Sequence, residues 1–545
     1  MGLADRLRRD PPPRPFCFGL IAFLQIRAPE DRCENELDLP GWSHDPVTAA
    51  TAACEADSGM IAAMTEGLQF HCAMSARRQP AGGRALHRRA RRRTRPNRRG
   101  CHMLANTSLA DALADAEERY AAARPRSKAA HARACASLPG GNTRSVLHFP
   151  PFPLFAEASS GCRLRDIDGH EYVDFLCEYT AGLAGHDNPA LRAAIAGVLE
   201  RGWVNGMLTE NEARLAEAVC ARFPALERVR FCNSGTEANL MALTTARVFT
   251  GRPAIMAFKG GYHGGVLLFG DTPSPQNAPF ETVMGSYNDA ERTRNLIRAH
   301  GDRLAAVILE PMLGSGGCLP ATPEFLAMLR EECTRAGSLL IYDEVMTSRL
   351  GPGGLQEQTG VLPDLATLGK YIGGGLSFGA FGGRADVLDR FDPARPDALL
   401  HAGTFNNNPF TMSAGVAMLT EVYPPERAAS FNAAGDGLRA QLEQAARSRE
   451  LPVQVTGQGS MMCLHPVAGP LARPDDLPQD PDIAAARGLI HLGLIERGHY
   501  IARRGMIVLS LPMGMAELDG FVTAFEDMLD ALAPHLARLD RARAG

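Results

Sequence analysis

The chain has 545 residues, 45% hydrophobic and 22% charged, with a formal net charge of −4. Such a length accommodates two or more lobes around a large core, and so ordinary a balance excludes a fibrous or wholly disordered chain. Residues 1–102 carry a net +6 and the remainder −10, and an acidic main body argues against a general nucleic-acid binder.

The thirteen cysteines are scattered, without a CxxC pair or close metal-ligand spacing. They read as reduced thiols in a cytoplasmic protein with no metal site. No run reaches the roughly 18–20 apolar residues of a membrane helix, and no membrane partner is expected. The segment PFCFGLIAFLQI (15–26) follows arginines as a signal core would, but no A-x-A-like site follows closely.

In chain order, the first 102 residues stand apart. Arginine fills 11 of the 23 positions in 77–99, and like charges at that density stay solvated. The segment reads as a disordered leader, or as a reading frame extended upstream of a start at Met103, rather than as a nucleic-acid arm. TSLADALADAEERYAAA opens on a Ser/Thr cap and predicts an amphipathic helix. From 160, β-rich runs alternate with helical stretches: RVRFCN, GTEANLMALTTARVFTG, PAIMAFKGG, LAAVILEP, TPEFLAMLREECTRAG, SLLIYDEV. That alternation predicts an α/β fold with a mostly parallel sheet buried on both faces. After 410 helices dominate, with a strand pair expected around MMCLHP and GMIVLSLP. The expected organisation is a segment 103–164 joining a small domain, a large α/β domain 165–405, and a small α+β domain 406–545.

Ligands of such sheets bind at the carboxyl ends of strands, so residues following each strand carry the chemistry. Ser234, Gly235 and Thr236 follow RVRFCN at a helix start, where amides and hydroxyls hold an anion such as phosphate; an ordinary N-cap is the plainer reading. Asp343 ends SLLIYD, and a buried carboxylate there is costly unless it is paired, binds a metal or holds a protonated ring nitrogen. Tyr262 lies between glycines in KGGYHGG, and HAGTFNNNP adds Thr404 among amides. Lys370 follows Asp343 by 27 residues in TLGKYIGGG and is one of only three lysines, with Lys128 and Lys259. An ammonium can lose its proton and attack a carbonyl, whereas a guanidinium cannot.

Taken in order, NSGTEAN, GGYHGG, YDEVMTSR, TLGKYIGGG and GTFNNNP resemble the fold type I, class III enzymes that use pyridoxal 5′-phosphate. The resemblance is to the glutamate-1-semialdehyde aminomutase-like branch and, more closely, to β-phenylalanine aminotransferases. It runs from about 108 to 535, through GNTRSVLHFPPFPLF, EYTAG, SFGAFGGRADV and RRGMIVLSLP, and does not reach 1–102. It implies that Lys370 forms the Schiff base and shuttles the proton, and that Asp343 keeps the pyridine nitrogen protonated. Tyr262 would stack on the ring, and Ser234, Gly235 and Thr236 would bind the phosphate. Thr404 would reach the phosphate of a neighbouring subunit in a homodimer. Arg144 would hold the donor carboxylate, Arg504, or Arg503 beside it, the carboxylate of the acceptor, and Tyr179 would line the pocket. The implied activity is transfer of the amine of an aromatic β-amino acid to 2-oxoglutarate or pyruvate. The alternatives are an aminomutase-type isomerase and a non-catalytic binding protein on the same fold. Lys128 reads as a solvated helix residue, and Lys259 as a neighbour of the site.

Overall fold

The computed structural model describes residues 108–541; the Arg-rich stretch and Met103 lie outside them. Fourteen strands organise the description. They are β1 (Ala156–Ser160), β2 (Arg163–Asp166), β3 (Glu171–Asp174), β4 (Arg228–Cys232), β5 (Ala254–Phe258), β6 (Glu281–Gly285) and β7 (Leu304–Leu309), then β8 (Leu339–Asp343), β9 (Leu365–Gly369), β10 (Gly379–Gly383), β11 (Gln454–Gln458), β12 (Met461–His465), β13 (His499–Tyr500) and β14 (Met506–Val508).

The central sheet runs β4-β10-β9-β8-β7-β5-β6. Its pairings are parallel except those of β10, which is antiparallel to β9 and β4. Strand periodicity sends alternate side chains to opposite faces, and two cores follow. Ile255, Ala306, Ile308 and Ile341 pack with Ala238, Ala242 and Leu243 of the helix Gly235–Thr250. Met256, Val307, Leu309, Leu340 and Tyr342 pack with Phe325, Leu326 and Leu329 of the helix Pro323–Ala336. Each fully buried aliphatic side chain contributes about 1.5–3 kcal/mol. Cover on both faces is why the runs LAAVIL and LLIYD carry no polar alternation.

The strand β10, GAFGG, lacks the β-branched residues that mark strands. A Cβ at Gly379 would lie 2.2 Å from the Ser234 carbonyl oxygen. The glycine therefore lets β10 lie directly against the start of the helix Gly235–Thr250.

A third core gathers the amino- and carboxyl-terminal parts of the described chain. The order β1-β2-β3-β13 places β3 parallel to β13, with Val173 opposite His499. The expected strand pair forms as β12 and β14, antiparallel, with β11 as a third member. The helix Leu109–Ala123 starts on a Ser108 capping box, and buries Leu109, Ala116 and Tyr120 against residues such as Ile490 and Leu489 of the helix Pro481–Glu496. Arg349 is fully buried and has no carboxylate partner among the described residues. Its guanidinium donates to Ser460 Oγ (3.0 Å), Thr180 O and Leu509 O.

Candidate active site

The parallel strands β4, β5, β7, β8 and β9 all end at one edge of the central sheet. There Ser234, Gly235, Thr236, Tyr262, Glu310, Asp343 and Lys370 line one cavity of 410 Å³. Ser234 caps the helix, its hydroxyl accepting the Glu237 amide at 3.1 Å, which leaves the Gly235 and Thr236 end of the helix facing the cavity with its positive dipole end. The loop carrying Tyr262 closes on this helix end: Gly264 has φ +125°, and a Cβ there would meet Thr236 Oγ1 at 2.3 Å.

Asp343 is 3% exposed. Its Oδ2 accepts from Asn239 Nδ2 and His263 Nδ1, both at 2.8 Å, and its Oδ1 from the Val345 amide at 3.0 Å. With His263 Nδ1 against this carboxylate, the buried Nε2 has no hydrogen-bond partner among the described residues. Thr367 holds Asn239 in turn, its hydroxyl donating to Asn239 Oδ1 at 2.6 Å. Nearby, Glu310 accepts the amides of Tyr262 (3.1 Å) and Gly314 (3.0 Å), clipping the tyrosine loop to the turn after β7. Burial, offset by His263 and reinforced by Asp343, raises its carboxyl to about 7.

Lys370 begins the turn after β9 with φ +52°, a left-handed conformation that costs a non-glycine residue about 1–2 kcal/mol. It is half-buried. Burial first, then the Arg144 guanidinium, hold its amine below the usual lysine range, against the pull of Asp343 and Glu178. The other two lysines are elsewhere. Lys128 is exposed, and Lys259 is ion-paired with Asp271 (2.7 Å) and Asp475.

The two arginines approach Tyr179. The Arg144 guanidinium lies 6.0 Å from the centre of its ring and that of Arg504 4.9 Å; Arg144 also pairs with Glu178, itself a lining residue of the Lys370 cavity. Arg503 turns away, toward Glu117 and Pro150 O. Tyr179 is held by a left-handed turn in which Cys177, Glu178, Tyr179 and Thr180 have φ of 46°, 50°, 51° and 82°. None of the four is glycine, so other bonds must fix the turn. Asp174 Oδ1 accepts the amides of Leu176 (2.9 Å) and Cys177 (3.0 Å), and the Tyr179 hydroxyl donates to Val146 O at 2.7 Å.

Thr404 does not line the cavity; it is exposed on the loop before Asn408. Sequence reasoning missed Asn239, His263, Glu178 and Glu310. The first three lie inside motifs already singled out, and Glu310 follows a strand end, the same signal that marks Asp343. Among the described residues no cluster of His, Cys, Asp and Glu could hold a metal ion, and no helix is long and apolar enough to cross a membrane.

Residues 147–468 match the aminotransferase class-III family. The chain is 47% identical over 446 residues to a β-phenylalanine transaminase of Variovorax paradoxus, covering 81% of this chain and all of that one. A glutamate-1-semialdehyde 2,1-aminomutase of Methanosarcina acetivorans is 36% identical over 351 residues, 62% of this chain and 82% of its own. The crystal structure of a β-phenylalanine aminotransferase from V. paradoxus superposes with a TM-score of 0.77 at 46% identity, over 78% of this chain and 98% of that one.

Proposed function

Because the chain belongs to the class-III aminotransferases and uses pyridoxal 5′-phosphate, we propose that it takes the amine of an aromatic β-amino acid and passes it to 2-oxoglutarate or pyruvate, in two alternating half-reactions and as a homodimer. The observation carrying this reading is that Arg144 and Arg504 both approach the Tyr179 ring and both act on the Lys370 amine through their charge, together with the likeness to a β-phenylalanine transaminase.

The cavity suits the cofactor on its own features: an anion-binding helix end, a half-buried amine of lowered basicity, and a buried carboxylate facing the same space. Ser234, Gly235 and Thr236 would hold the phosphate, Tyr262 the ring face, Asp343 the ring nitrogen and Lys370 the aldehyde carbon. When bound, the group supplies an electron sink for the charge left as a proton departs the amine-bearing carbon.

The protein's residues do the rest. Lys370, its amine less basic than an ordinary lysine's, is the base that moves that proton. Three donors hold the Asp343 oxygens, and this carboxylate would keep the pyridine nitrogen protonated. Arg144 orients the donor carboxylate by a two-pronged contact, and Arg504 serves the acceptor. Thr404 would complete the phosphate site of the neighbouring subunit, consistent with its absence from the cavity of its own chain.

The aminomutase reading keeps its own support in the 36% identity to such an enzyme. One mixture separates the two. Purified protein with β-phenylalanine and 2-oxoglutarate should accumulate glutamate; no glutamate, with isomerisation of glutamate-1-semialdehyde instead, overturns the transaminase reading.

A further inference from the structure

A second cavity, of 210 Å³, shares no lining residue with the Lys370 cavity and is well under the roughly 300–1,000 Å³ that encloses a drug-sized ligand. Arg487, from the helix Pro481–Glu496, and Arg504 both line it, with Lys259, Cys463 and His465. The charges here are unequally matched. Lys259 is neutralised by Asp271 and Asp475. Neither arginine has a carboxylate partner among the described residues, and the buried Nε atoms of both lack any hydrogen-bond partner. Among the described residues the Arg504 terminal nitrogens donate to the Met506 sulfur, at 3.2 Å, a poor acceptor. His465 adds no positive charge: its Nε2 sits 3.1 Å from Gly317 O, and burial lowers its basicity to about 4.

Two guanidiniums on one cavity wall repel each other, and their unused N–H groups match the forked geometry of a carboxylate. Arg504 lines the second cavity, lies over the Tyr179 ring and acts on the Lys370 amine through its charge. Like Arg504, Arg487 does not line the Lys370 cavity. A carboxylate that it touches must therefore be separated by a carbon chain from the carbon facing Lys370. Pyruvate, whose carboxylate is joined directly to its carbonyl carbon, cannot satisfy both positions.

We propose that Arg487 and Arg504 together clasp the second carboxylate of a dicarboxylic keto acid, so that Arg487 determines the enzyme's choice of acceptor. This rests on the reading of Arg504 as the acceptor's partner, and it narrows the acceptor to di-acids of the 2-oxoglutarate kind.

The test is calorimetric titration of the cofactor-loaded protein with glutarate and with butyrate, neither of which can accept an amine. Glutarate should bind at least tenfold more tightly to the wild type. Arg487→Gln should abolish that preference, and Arg487→Lys should retain part of it. In turnover, R487Q should raise KM for 2-oxoglutarate about tenfold more than KM for pyruvate. Equal binding of glutarate and butyrate by the wild type overturns the proposal without need of any variant. So does an R487Q protein that keeps the preference, or one that weakens both ligands alike, the mark of a merely structural role. Glutarate binding is read without turnover, so it remains decisive even if β-amino acids prove not to be donors.

Discussion

Lysine and arginine carry the same charge at neutral pH, but only lysine can become a nucleophile there. Lys370→Arg should therefore lower the transamination rate at least about 10³-fold and leave the cofactor removable by dialysis, followed by its visible absorbance. Glu310 makes a prediction of opposite kind. Its carboxyl is raised from 4.5 to about 7 by burial, so its proton stabilises the fold fully below about 4.5, and that contribution is lost as pH rises through about 7. Glu310→Gln mimics the protonated form. Its melting temperature relative to wild type should be higher at pH 8 than at pH 5, checked by thermal denaturation at both. A difference that does not change with pH removes the buried-acid reading. At this scale Asp343 and Lys370 were legible because a strand-end acid and a rare lysine stand out in any sequence. Arg503 and Arg504 were not separable, since adjacent residues differ only in which way the backbone turns them.

Elements add strain to this account. The turn Cys177–Thr180 is left-handed throughout, and nothing in CEYT announces it, because its cause is the Asp174 carboxylate and the Arg349 contact with Thr180 O. Glu178→Gly should relieve about 1 kcal/mol of left-handed strain and return part of it as unfolded-chain entropy. The urea midpoint should not fall, while KM for the donor should rise as Arg144 loses its ion pair; a lower midpoint contradicts the strain argument. The strands were easier to read where both faces are covered. LAAVIL and LLIYD declare themselves by apolar run, whereas GAFGG does not, since its glycines answer to neighbouring backbone and not to periodicity.

For the whole molecule, Val204, Met207 and Leu208 in one segment, and Leu400 and Phe405 on the loop that bears Thr404, are exposed apolar side chains; Leu208 and Gly403 line one cavity. Contact with a second copy would remove them from water. Sedimentation should give twice the 58.5 kDa chain mass, and Phe405→Glu should yield monomers with little activity; active monomers would disprove the shared site. The alternation of strands and helices made the α/β core legible, but the partner of β3 was not, because pairing across most of the chain leaves no local trace. That pairing also has a consequence in time. Val173 and its neighbours are synthesised early and must wait for His499. At roughly 5–20 residues per second the delay is on the order of tens of seconds. Through that interval β1–β3 form a sheet with an open edge, a template for wrong partners. Chains ending before residue 499 should accumulate as aggregates, and chaperone demand should be set by a strand only two residues long.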